Sequence, residues 1–306
     1  MIKNEELINK VNNIYLNLRS KESSRIAYVE DKLYSYKEYI SIVNDIGKTK
    51  LSISKAKHLG KTDVVKLNTE KLNILNEKKV KFLENIGINE DILKPRHKCN
   101  LCSDTGYVNG KRCSCFYKYL QLVTLKALNV ENDYINKFKT VPLELTKHYK
   151  LANEYVEKFP NNLVNNFIFT GKAGTGKTVL SKKIVDDINA KNYSAIFLTA
   201  TELNQIFLKM HLDEIDKLLV SDILSNCDLL VIDDLGTEPI YTNVTIEYLL
   251  DLISTRLNKS RHFIITTNLT PAEINNRYNE RFYSRLCDKT KTKIIPFTID
   301  DLRRKN

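Results

Sequence analysis

Gly171-Lys172-Ala173-Gly174-Thr175-Gly176-Lys177-Thr178 satisfies the spacing G-x-x-x-x-G-K-[ST] at every position. Glycines at 171, 174 and 176 let backbone N–H groups turn inward around a triphosphate. Lys177 has the reach for the β- and γ-phosphates, and the Thr178 hydroxyl is a ligand for Mg²⁺. An apolar, strand-like run precedes the loop, Leu163 to Thr170. A helix-like run follows it, with Leu180, Ile184 and Ile188 four apart. Strand, glycine loop and helix together make segment 171–178 the expected ATP·Mg²⁺ cradle.

Leu229-Leu230-Val231-Ile232-Asp233-Asp234 reads as a buried strand ending in two carboxylates. A parallel strand beside the phosphate loop brings Asp233 to Mg²⁺ and leaves Asp234 to polarise an attacking water. An aspartate reaches less far than a glutamate, so slow hydrolysis is expected. A further apolar strand ends Ile264-Ile265-Thr266-Thr267-Asn268, and Asn268 is the polar residue expected to bond the water or the γ-phosphate. In Glu280-Arg281-Phe282-Tyr283-Ser284-Arg285-Leu286 two arginines stand four apart, on one helix face. They suit either a solvated surface or action in trans on a neighbour's nucleotide.

Cys99-x2-Cys102 and Cys113-x-Cys115 supply four thiolates within seventeen positions. Between them, Ser103 to Lys111 reads as a knuckle turn, a short strand and a hairpin turn at Asn109-Gly110. Soft thiolates in a tetrahedron suit Zn²⁺, with an iron–sulfur cluster or free redox thiols as alternatives. His97 is a possible substitute ligand. Four protein ligands leave no open position, so the site is expected to be structural. Cys227 and Cys287 stand alone and read as core residues.

The elements that position these groups fall into two textures. Residues 1–93 contain no proline, and their apolar residues recur at helical spacing: Leu7, Val11, Ile14 and Leu18, then Val65, Leu72, Leu75, Phe82, Leu83 and Ile86. Gly87 reads as the stop of that last helix, and Pro95 prevents any continuation. From Leu163 onward, apolar runs at Tyr193–Thr199, Asp228–Asp233, His262–Thr267 and Lys293–Phe297 alternate with helical patterns. That alternation predicts an α/β fold, a parallel sheet with helices on both faces. The expected domains are a helical 1–95, a four-Cys knuckle 96–120, a connector 121–160 holding a helix between Leu145 and Phe159, and an ATPase domain 161–306.

The 306 residues carry 48 Lys+Arg against 37 Asp+Glu, a net charge of +11. The excess lies upstream: residues 1–98 hold 20 against 13, whereas residues 141–306 hold 22 against 21. A basic front end can attract nucleic acid; abundant lysine is also what an AT-rich genome produces. A Zn²⁺ on four thiolates carries −2, so the knuckle itself is no obvious DNA-binding patch. No run approaches the roughly 20 apolar residues of a membrane span, and the start Met1-Ile2-Lys3-Asn4-Glu5-Glu6 has no apolar signal region. A cytoplasmic protein with no membrane partner is expected.

The loop 171–178, Asp233-Asp234-Leu235-Gly236-Thr237-Glu238, Thr266-Thr267-Asn268, Glu280-Arg281 with Ser284-Arg285-Leu286, and Phe297 through Arg303 resemble the DnaC/DnaI-type helicase loaders within the AAA+ ATPases. The cysteine segment is similar to the knuckle of Gram-positive and phage members. The resemblance covers about residues 65–303. It implies an AAA+ core in which Arg285 is the arginine finger and Arg303 a second sensor touching nucleotide in cis. It also implies that the upstream domain grips the replicative hexameric helicase, that the ATPase domain binds single-stranded DNA, and that ATPase domains self-associate. Two other readings share these residues: a transposition-helper ATPase, and a nucleotide-gated adaptor that scarcely hydrolyses ATP.

Overall fold

With no proline to interrupt them, the first residues form three long helices: α1 (Asn4–Leu33), α2 (Lys37–His58) and α3 (Thr62–Asn85). The structure is a computed structural model that describes residues 4–128, 143–191 and 193–302. It divides into two units, residues 11–116 and residues 1–10 with 117–306.

In the unit 11–116, Tyr39, Ile42 and Ile46 of α2 bury against Leu75, Phe82 and Leu83 of α3, with Leu33 at the end of α1. The α2 residues are one turn apart and Leu75 is two turns from Phe82, so each helix turns a single apolar stripe inward. The stripe on α3 follows the expected positions: Leu75, Phe82 and Leu83 are buried, Val65, Leu72 and Ile86 are half-buried, and Leu67 and Ile74, outside it, are exposed. Gly87 ends α3 as expected. At φ 73° it lets Ile88 N–H reach Leu83 O (2.9 Å) and its own N–H reach Glu84 O (2.9 Å). The cysteine segment contains the antiparallel pair β1 (Tyr107–Val108) and β2 (Lys111–Arg112), then α4 (Ser114–Ala127). Asn109 (φ 49°) and Gly110 (φ 76°) form the tight turn between the two strands.

The second unit continues with α5 (Thr146–Lys158), β3 (Asn166–Thr170), α6 (Lys177–Ala190), β4 (Ala195–Thr199), α7 (Ala200–His211) and α8 (Lys217–Asn226). Then come β5 (Leu229–Leu235), α9 (Thr245–Asn258), β6 (His262–Thr267), α10 (Pro271–Tyr278), α11 (Glu280–Leu286) and β7 (Thr292–Pro296). Part of the expected connector, including Pro142, lies outside the described residues. The first strand is shorter than its apolar run, and Leu163 is 98% exposed.

The five strands β3–β7 form one parallel sheet in the order β4-β5-β6-β3-β7. Both faces are covered, which is why the strands read as continuous apolar runs. Side chains alternate between the two faces. Ile168, Leu230, Ile232, Phe263 and Ile265 pack with α7 to α11, whereas Phe167, Phe169, Leu229, Val231 and Ile264 pack with α5 and α6. The α/β class, the helical front region and the four-cysteine cluster expected from the sequence are all present. Among the described residues, no helix is long and apolar enough to cross a membrane.

One expectation needs correction. The Asp233 strand does not lie directly beside the loop strand; β6 separates β5 from β3. The register sets Thr170 beside Thr267 and Ile232 beside Ile265, so all three strands still end at one edge of the sheet. Parallel sheets gather ligands at that carboxyl edge.

Candidate functional site

The phosphate-loop glycines all adopt left-handed backbone: Gly171 at φ 144°, Gly174 at 79° and Gly176 at 92°. Their missing side chains serve a second purpose. A Cβ at Gly171 would strike the Phe297 carbonyl, one at Gly174 would overlap the Asp301 carboxylate, and one at Gly176 would sit 2.8 Å from Leu145 Cδ1. Phe297, Asp301 and Leu302 therefore pack against the loop. Phe297 N–H donates to Thr170 O (2.7 Å), and Leu302 N–H donates to Gly174 O (2.9 Å). The Thr175 hydroxyl, buried, closes the loop on Lys172 O at 2.9 Å.

Lys177 opens α6 and is 4% exposed. Its ammonium donates to Gly171 O (2.6 Å), Lys172 O (2.8 Å) and Asn268 Oδ1 (2.9 Å). Burial pulls its pKa down, while the negative charges of Asp234 and Asp233 oppose that shift. The Thr178 hydroxyl donates to the Asp233 carboxylate at 2.9 Å. Asp233 is itself 3% exposed, and burial pushes its pKa above the usual carboxylate range. The hydroxyls of Thr266 and Thr178 work against that rise, and Asp234 adds to it.

Beyond Ile232 the ladder between β5 and β6 shifts register, and Asp234 takes φ 55°. A β-bulge re-aims the side chains of its strand. Here Asp233 faces Thr178, and Asp234 comes within electrostatic reach of Lys177. Thr266 on β6 bridges the pair by donating to Asp233 Oδ1 and accepting from Asp234 N–H. The structure thus gathers Gly171–Thr178, Asp233, Asp234 and Asn268 at one edge. Loop amides, an ammonium, a hydroxyl and paired carboxylates form a donor set that fits a magnesium nucleotide.

Arg281 and Arg285 lie on the exposed face of α11, opposite the buried Phe282 and Leu286. Arg303 lies outside the described residues. A cavity of about 340 Å³ lined by Pro160, Asp228, Lys259, Arg261 and His262 sits at the opposite ends of β5 and β6 and holds none of these residues.

Two residues without a sequence-assigned role matter here. Thr266 reads as one more strand threonine until the strand order is known. Glu238, buried, accepts Gly236 N–H at 2.9 Å and the Tyr278 hydroxyl, while Arg277 donates to the Glu238 carbonyl. It ties the loop after β5 to α10.

In the other unit, the Sγ atoms of Cys99, Cys102, Cys113 and Cys115 lie within 4.8 Å of one another. Two of the separations are 3.8 Å (Cys99–Cys113) and 3.5 Å (Cys102–Cys115). A tetrahedron with metal–sulfur bonds of about 2.3 Å has sulfur–sulfur edges of about 3.8 Å, so the cluster fits Zn²⁺. Asp104, φ 57° and buried, accepts the amides of Lys98 and Cys99, each at 2.8 Å. His97 stands 3.7 Å from Asp104 and is not part of the sulfur cluster. Cys227 is buried and accepts from Arg256 at 3.2 Å, as a core residue; Cys287 is half-buried.

Residues 119–291, more than half of the chain, match the family described as IstB-like ATP binding protein. The replicative helicase loader DnaC of Escherichia coli (strain K12) is 32% identical over 139 residues, which are 44% of this chain and 55% of that protein. The chain thus spans about half the length of the curated relatives it matches. A crystal structure of the DnaC helicase loader aligns with a TM-score of 0.45 and 21% identity, over 55% of this chain and 97% of that one. AMPPCP-bound DnaA from Aquifex aeolicus aligns at 0.46 and 20%, over 57% and 53%. The chain belongs to the IstB-like ATP-binding family.

Proposed function

We propose that this protein is an ATP-dependent loader of a replicative hexameric DNA helicase. One observation carries the ATPase part. At the mouth of a glycine loop, Lys177 at the start of α6 bonds Asn268 just past β6, and Asp233 on β5 accepts from Thr178 on α6 and Thr266 on β6. In this reading the amides of Gly171, Lys172, Ala173, Gly174, Thr175 and Gly176 wrap the phosphates. Lys177 holds the β- and γ-oxygens, and Thr178 with Asp233 holds Mg²⁺. ATP supplies the anhydride bond whose hydrolysis drives the switch. Asp234 orients and deprotonates the attacking water, and Asn268 holds it in line. Arg285, exposed on α11, acts on a neighbouring subunit's nucleotide, and Arg303 senses nucleotide in cis.

Residues 1–95 are the helicase-gripping domain, residues 96–120 a Zn²⁺-clipped knuckle, 121–160 a connector, and 161–306 the ATPase domain that binds single-stranded DNA. The name of the E. coli relative supports the loader role. Asp234 favours a second reading, a nucleotide-gated adaptor with little turnover, because its side chain is short and its backbone left-handed.

Steady-state ATP hydrolysis by the full chain, with and without single-stranded DNA, separates the two. Turnover that survives Lys177→Ala removes the catalytic assignment, and no affinity for magnesium–ATP removes the nucleotide reading altogether. Co-purification of the full chain with a replicative helicase tests the partner. Hydrolysis without helicase binding points instead to a transposition helper.

A further inference from the structure

Tyr15 sits in α1, at 2% exposure, and its hydroxyl oxygen lies 3.0 Å from Cys115 Sγ, across 100 positions of sequence. The ring is held by the absence of a side chain at Gly106. A Cβ there would lie 2.7 Å from Tyr15 Cε2, and Gly106 itself has φ 78°. Position 106 therefore needs glycine for its backbone and for the ring that covers it. A metal-bound cysteine has lost its proton, so in the Tyr15–Cys115 pair only the hydroxyl has a hydrogen to give.

We infer that Tyr15 is an outer-sphere donor to the metal-bound Cys115 thiolate, making α1 part of the zinc site; this rests on the zinc reading above. Four thiolates around a divalent cation leave a net charge of −2 in a half-buried site. A hydroxyl donated to one sulfur spreads that charge and fixes the sulfur's direction. The site is then braced from two sides. Asp104 fixes the amides of Lys98 and Cys99 around the first ligand, and Tyr15 fixes the last one. The cysteine spacing alone closes a knuckle of seventeen residues; the hydroxyl extends the metal's hold to a helix far upstream. Tyr15 is a positioning residue, since it touches the ligand and not the metal.

The test uses the full chain, as wild type and as Tyr15→Phe, which keeps the ring against Gly106. Zinc affinity is measured by chelator competition. The sulfur-to-metal charge-transfer band is recorded with Co²⁺ in place of Zn²⁺. The expected result is one metal per chain in both proteins, zinc held about tenfold less tightly by Tyr15→Phe, and a displaced Co²⁺ band. Should Tyr15→Phe lose helix content, 3-fluorotyrosine placed at position 15 alone provides the second variant: it keeps the ring and strengthens the hydroxyl as a donor, and a displaced Co²⁺ band is again expected. Affinity within twofold of wild type with superimposable Co²⁺ spectra overturns the inference. A wild-type chain that takes up no metal on its four thiols overturns the zinc reading beneath it, which is a distinct result.

Discussion

Thr266 Oγ1 donates to Asp233 Oδ1 across 2.6 Å and accepts from the Asp234 amide at 2.9 Å. One hydroxyl on β6 thereby holds both members of the carboxylate pair on β5. Thr266→Val keeps the shape and removes the hydroxyl, leaving a buried carboxylate and an amide short of a partner. The expected cost is about 1–3 kcal/mol in a urea unfolding curve. Turnover should fall about tenfold while nucleotide affinity changes little, and Thr266→Ser should restore both quantities. Unchanged turnover in Thr266→Val would detach this hydroxyl from the chemistry.

Lys177 spends its three N–H bonds on Gly171 O, Lys172 O and Asn268 Oδ1. Those acceptors lie at the loop mouth, where water can replace the ammonium. Lys177→Ala is therefore expected to fold normally. Each charge-assisted hydrogen bond to phosphate contributes about 1.5–3 kcal/mol, so ATP affinity should drop by at least about tenfold in a calorimetric titration.

Gly174 combines a φ of 79° with contact against Asp301. In Gly174→Ala the backbone strain costs about 1–3 kcal/mol, and the new methyl displaces residues 299–302. Lower stability and weaker nucleotide binding are both expected. Removing the obstacle in Gly174→Ala/Asp301→Ala should recover part of the loss and not the remainder, which belongs to the backbone. Additive single and double variants would show that the two positions do not touch.

His262 is buried between the Tyr155 hydroxyl (2.8 Å from Nδ1) and Pro160 O (3.1 Å from Nε2). Burial lowers its pKa from 6.5 to about 4, and the nearby Arg256 charge adds to that, against the raising effects of Pro160, Asn165 and Asp228. Between pH 4 and 6.5 the unfolded chain binds the proton and the folded one does not. Stability from this group is thus complete above pH 6.5 and is lost as the pH falls toward 4, by an amount on the order of 3 kcal/mol. His262→Gln should flatten the melting temperature across that window.

Chelation of the metal should make four further thiols reactive toward a disulfide reagent, those of Cys99, Cys102, Cys113 and Cys115. Cys227, buried beside Arg256, should stay silent until the chain unfolds. Equal reactivity before and after chelation would mean that no metal guards the cluster.

Local signals in the chain announce much of this molecule. The run Leu229–Ile232 is apolar on both faces and became a central strand. Leu180, Ile184 and Ile188 fall on one turn-spaced line and are all fully buried. The loop and the cysteine pairs are short-range patterns whose geometry depends on neighbours in sequence. What the sequence hides is non-local. Nothing in Ile264 to Thr267 states that this strand lies between β5 and β3, so Thr266 could not be singled out from Thr267. Tyr15 lies in an ordinary amphipathic repeat, and only the folded chain brings it to Cys115. Asp301 likewise reads as one of several acids near the end, until Phe297, Asp301 and Leu302 close against the glycines. Leu163 shows the opposite error: an apolar residue next to a strand, yet left in solvent.

From Ile232 to Leu235 the strand β5 advances three positions while β6 advances two, from Ile265 to Thr267. That surplus residue makes length, more than composition, the quantity to be preserved at this edge. Deleting one aspartate would straighten the ladder, leave Leu235 opposite Thr267, and remove the bulge that gives Asp233 and Asp234 their separate directions. A replacement at 234 has gentler options, because asparagine and glycine both tolerate a left-handed backbone. Sequence drift can therefore exchange letters at this corner far more readily than it can lose one.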